Sequence, residues 1–97
     1  MLDLDRLARA RASEVKEKED AWTAAVWSPE FQKISANMSD SEVEQLLGLC
    51  LTAAEFQRVV KHLKDKFEAT GVSPFTVLEE EAKRAGQSAD DWIKNLT

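Results

Sequence analysis

Five helix-start signals, spaced along a chain of 97 residues, constrain this sequence more than any other feature. Ser28-Pro29 and Ser73-Pro74 each place a capping residue before a proline at the first helical position. Ser39-Asp40-Ser41-Glu42 has the spacing of a capping box, in which the serine accepts from a freed backbone N–H and the glutamate reaches back. Thr52-Ala53-Ala54-Glu55 repeats that spacing, and Ser88-Ala89-Asp90-Asp91 sets a cap before two acids that favour the positive end of a helix dipole. Asn37, Gly71 and Gly86 are placed to end helices in the left-handed conformation. No segment alternates apolar and polar residues as a half-buried strand does. Helices are therefore predicted over 3–27, 29–36, 40–49, 53–69, 74–85 and 89–96. The expected fold is an all-α single domain over residues 1–97, a bundle of five or six helices.

Helical spacing also identifies a core. Phe56, Val59, Val60, Leu63 and Phe67 form one stripe at three- and four-residue steps. Val43, Leu46, Leu47, Leu49, Cys50 and Leu51 are nearly continuous, as in a buried helix. Phe31 with Ile34, Phe75 with Val77 and Leu78, and Trp92 with Ile93 and Leu96 supply shorter apolar faces. The first helix differs. Its ends are apolar (Leu2, Leu4, Leu7, then Trp22, Val26, Trp27), while Arg9 to Asp20 contains only Ala10, Ala12 and Val15 among polar groups. A continuous helix of that length exceeds what the compact part, 29–97, can cover. It is expected to project, or to lie against another chain. Two-fold antiparallel pairing would set Leu4 and Leu7 against Trp22 and Val26 of a second copy, with basic Arg9 and Arg11 near acidic Glu17 and Glu19. The competing arrangement bends the segment near Ser13 and folds it back as two shorter helices within one chain.

Charge and composition narrow the function. The formal net charge is −5, and no stretch is strongly basic. Nucleic-acid binding depends on Lys and Arg displacing counterions from phosphate, so this balance disfavours a non-specific binder of nucleic acid. No apolar run is long enough to cross a bilayer. Cys50 is the single cysteine, so no intrachain disulfide forms, and the N-terminus lacks the basic and apolar regions of a secretory signal. The chain reads as cytoplasmic. His62 is the single histidine and has no second histidine or a cysteine at ligand spacing. It reads as a surface histidine, and Cys50, among leucines, as a buried inert thiol. Glu79-Glu80-Glu81 point to successive faces of a helix and cannot form one paired site. No catalytic group, metal site or cofactor is expected.

Residues Leu78 to Leu96 resemble a helix-turn-helix, with Ala82 inside the first helix, Gly86 in the turn and Ser88 capping the second. Leu51-Thr52-Ala53-Ala54-Glu55 and Gly71-Val72-Ser73 are similar to the region preceding that motif in Trp-repressor-like regulators. The resemblance covers less than half the chain. It implies a DNA-binding regulator in which Lys83, Arg84, Lys94 and Asn95 face the nucleic acid. The sequence departs from the pattern at Asp90 and Asp91, which would meet the DNA backbone, and at Glu81 and Gln87, where such motifs bury apolar groups.

The reading that follows from the residues themselves is a non-catalytic protein–protein interaction module, a small regulator or inhibitor. Its expected partner-binding residues are Leu4, Leu7, Val15, Trp22, Val26 and Trp27, and it is expected to form a homodimer. DNA binding through residues 74–96 is the alternative.

Overall fold

The computed structural model describes residues 2–96. Seven helices follow one another among them: α1 (Leu4–Val15), α2 (Glu19–Val26), α3 (Pro29–Ser35), α4 (Asp40–Leu49), α5 (Ala53–Thr70), α6 (Pro74–Arg84) and α7 (Ala89–Lys94). The all-helical class and the positions of the starts from α3 onward match the sequence, although the side chains of Ser73 and Ser88 make no capping hydrogen bond. Ser39 accepts from the Glu42 N–H and Glu42 reaches back to the Ser39 N–H, completing the capping box. Thr52 accepts from the Glu55 N–H, but the Glu55 carboxylate turns one residue further, to the N–H of Leu51. Gly71 (φ 74°) and Gly86 (φ 69°) take the left-handed conformation at the ends of α5 and α6. Asn37 does not: α3 ends at Ala36 in the right-handed region, and the next cap follows at once at Ser39.

The long first helix is not continuous. It breaks at Lys16, which takes φ 57° and ψ 44°, the one non-glycine residue with positive φ among those described. The Glu17 N–H closes back on the Ala12 carbonyl at 2.9 Å, and α2 begins at Glu19. Neither Gly nor Pro occurs before residue 29, so no local signal marks this break. Its cause is tertiary. Folding back lets Ala8 and Ala12 of α1 and Trp22, Ala25 and Val26 of α2 enter one core, each at most 3% exposed. Small residues on α1 let the two helices pack closely. The continuous, projecting helix expected over 3–27 is thus overturned, and the segment folds back as two shorter helices, with the break at Lys16 rather than near Ser13.

α5 is the centre of the bundle. It packs against α2, α3, α6 and α7. Phe56 brings together α2 and α3, with ring centroids 5.8 Å from Trp22 and 5.2 Å from Phe31. Phe56, Val59, Val60 and Leu63 are fully buried, while Phe67 at the end of the expected stripe is half-buried. The radius of gyration is 12.5 Å, matching the roughly 13 Å of an ordinary ~100-residue domain. No helix among the described residues is long and apolar enough to cross a membrane.

Candidate interaction site

The α2–α3 corner carries the most exposed large apolar side chain among the described residues. Ser28 is extended (φ −64°, ψ 146°) because Pro29 follows it, so α2 must end at Val26–Trp27. The corner is tied on several sides. Ser28 Oγ donates to the Ala25 carbonyl at 2.8 Å and accepts from the Phe31 N–H, and Gln32 Nε2 donates to the Val26 carbonyl at 2.7 Å. Trp22 and Trp27 are five residues apart, which on a helix turns them about 140° from each other. Trp22 is fully buried, whereas Trp27 is 51% exposed.

Trp27 is nevertheless held in place. Its Nε1–H donates to Asp5 Oδ1 at 2.7 Å, across to the first turn of α1. That turn is itself capped by Asp3, which accepts from the Arg6 N–H. At the other end of the α1–α2 hairpin, Arg9 meets Glu19 at 3.3 Å. The Trp27 indole therefore stands outside the core in a fixed orientation. None of the close aromatic pairs involves it: Trp22 packs with Phe56 and Trp92 with His62.

The other residues expected to bind a partner fall into two groups. Trp22 and Val26 are fully buried in the core and present no surface, which corrects their assignment to a partner face. Leu4, Leu7 and Val15 are half-buried and pack against that core. Leu7 also lines a shallow groove of about 240 Å³ between α1 and α4 with Ala10, Leu47 and Gly48, rimmed by Arg11, Glu14 and Glu44.

The polar middle of the first segment is used for capping across the chain. Arg11 donates to the carbonyls of Cys50 (2.8 and 3.1 Å) and Gly48 (3.2 Å), closing the C-terminal end of α4. Glu17 accepts from the Ala53 N–H at 2.8 Å, at the start of α5. These contacts span 36 to 39 residues and leave no trace in local spacing. Asp5 as the partner of Trp27 is equally invisible, since 22 residues separate them.

His62 pairs with a residue that its own helix does not supply. Its Nε2 lies 2.9 and 3.1 Å from the two Glu81 oxygens, and its ring meets Trp92 edge-on at 5.4 Å. This half-buried cluster joins α5, α6 and α7, and it accounts for the polar Glu81 at a position where a helix-turn-helix buries an apolar group. The neighbouring cleft, about 320 Å³, is lined by Arg58, Lys61, His62, Asp65 and Leu96. No three His, Cys, Asp or Glu side chains among the described residues converge into a metal-holding group. Cys50 is buried, and burial first, then the Glu55 charge, push its thiol up to about 12 against the opposing effect of Arg11.

α6 and α7 flank the left-handed turn at Gly86, as the resemblance implies. Lys83, Arg84, Lys94 and Asn95 are all exposed. Asn95 spends its amide on the Asp91 carbonyl at 2.9 Å. α7 buries Trp92 and Ile93 and opens on Asp90, whose carboxyl is held below the usual range by the Ser88 side chain. Compared with protein-family models, with curated proteins and with solved structures, this chain matches none.

Proposed function

We propose that this chain is a non-catalytic interaction protein that docks on a partner protein through the face around Trp27. The observation that carries the reading is the combination of exposure and fixation at Trp27. Tryptophan is enriched among the residues that dominate binding energies. A side chain already held in one rotamer loses less entropy when a partner covers it. The Asp5 hydrogen bond and the tied α2–α3 corner provide that fixation. Trp27 keeps 51% of its surface exposed, and that is the area a partner would cover.

The test compares tagged wild-type chain with Trp27→Ala and with a control, Leu51→Ser, which alters a second exposed apolar residue. A partner captured from the native host should be retained by wild type and by the control. With purified components, Trp27→Ala should weaken its Kd by about 30-fold, the equivalent of a ~2 kcal/mol hot spot. Capture of no other protein, or of partners indifferent to Trp27, overturns the reading.

The helix-turn-helix arrangement of α6 and α7 supports DNA binding as the second reading. Against it stand five acids and three bases in residues 73–97. A mobility shift at low salt that disappears in Lys94→Ala would favour it. No shift at low salt, where phosphate contacts are strongest, would end it.

A further inference from the structure

We propose that the Trp27–Asp5 pair receives a basic side chain, arginine or lysine, presented by a segment of the partner protein. This inference rests on the reading of the Trp27 face as the docking site. An exposed indole offers a negative π-face that attracts a cation placed over it. Here the ring edge donates to a carboxylate, which pushes electron density into the ring and strengthens that attraction. The carboxylate also stands beside the ring, so one incoming guanidinium can lie over the indole while facing Asp5. Asp5 is exposed and forms no ion pair among the described residues.

The charges nearby are of matching sign. Asp3 and Asp5 stand in and before the first turn of α1, and Glu30 in the first turn of α3. α2 ends at Trp27 with its negative dipole pole and no basic residue in its last turn. Arg6 is the nearest cation in sequence, and it pairs with no acid among the described residues; Arg9 is occupied by Glu19. An acidic or anionic ligand would meet repulsion from Asp3, Asp5 and Glu30, and a purely apolar one would leave the Asp5 charge without a counter-charge.

The chain carries three tryptophans, so an ¹⁵N-labelled sample shows three indole N–H signals, each assignable by single Trp→Phe substitution. The probes are a short alanine-based peptide bearing two arginines and the same peptide with neutral citrulline in their place. The arginine peptide should move the Trp27 signal and leave those of buried Trp22 and Trp92 in place. Its affinity should exceed that of the citrulline peptide, and Asp5→Asn should weaken it about two- to fivefold. Equal responses to the two peptides, or indifference to Asp5→Asn, would overturn the inference. So would a Trp27 signal that moves on dilution alone, which assigns the face to a second copy of the chain. The two readings fail separately. A partner lost in Trp27→Ala, together with equal responses to arginine and citrulline, keeps the docking face and rejects the basic ligand.

Discussion

Trp22 shows how a single residue combines gain and cost. Its ring fills the space beside Phe56, and its Nε1–H is the one buried side-chain polar atom without a hydrogen-bond partner among the described residues. A buried unmet donor costs about 1–3 kcal/mol. Trp22→Phe removes the donor and keeps an aromatic ring, so it should destabilise less than half as much as Trp22→Ala, for which about 3–5 kcal/mol is expected. Urea unfolding of the two variants measures this. Cys50 gives a pH prediction. Its thiol is neutral in the folded chain up to about 12, whereas in the unfolded chain it ionises near the ordinary 9.0. A raised folded value means that the stability contribution is complete below pH 9 and is lost as the pH climbs from 9 toward 12. Cys50→Ala should flatten that part of the stability–pH curve. A thiol reagent at pH 8 should modify Cys50 only at the rate at which the chain opens.

At the scale of elements, the junctions matter more than the helices. The α4–α5 junction is closed from α1: Arg11 takes the last carbonyls of α4, and Glu17 takes an N–H of α5. Arg11→Met keeps most of the stem packing and removes the charged donors. It should cost about 1.5–3 kcal/mol, the range for hydrogen bonds to charged groups. Exposed Arg9, paired only with Glu19 at the surface, should cost under about 1 kcal/mol when changed to Met. The turn at Lys16 gives the opposite sign. A left-handed backbone costs a non-glycine residue about 1–2 kcal/mol, part of which glycine returns through its freer unfolded chain. Lys16→Gly should therefore raise stability by up to about 1 kcal/mol, or a Tm increase of roughly 4–8 °C for a domain of this size. Unchanged or lower stability would mean that Lys16 makes compensating contacts.

For the whole molecule, the first two helices belong to the core. The accessible surface is 5669 Å², close to the roughly 5600 Å² expected of a folded monomer of 10.9 kDa. One copy thus reaches ordinary burial by itself, and of the apolar residues at the ends of the first segment Trp27 alone is left exposed. A projecting helix would tolerate removal. Deleting residues 1–18 takes away Ala8 and Ala12 from the core and both caps of the α4–α5 junction. The truncated chain should lose its cooperative thermal transition as followed by circular dichroism; a sharp transition near the full-length Tm would restore the picture of a separate arm.

Capping groups, glycines and three-residue apolar steps act over one or two turns, so they can be read along the chain. They placed the starts of α3 to α7 and the apolar stripe on α5, and they placed the α6–α7 turn at Gly86. The break at Lys16 lies beyond such reading, because no residue there prefers it: burial of Trp22 and Val26 against α5 outweighs the strain of one left-handed lysine. The same separation divides the two tryptophans. Sequence spacing requires that Trp22 and Trp27 face apart. Which of them enters the core depends on where α5 lies, and the carboxylate that holds the outer one comes from a helix that only the folded hairpin brings alongside.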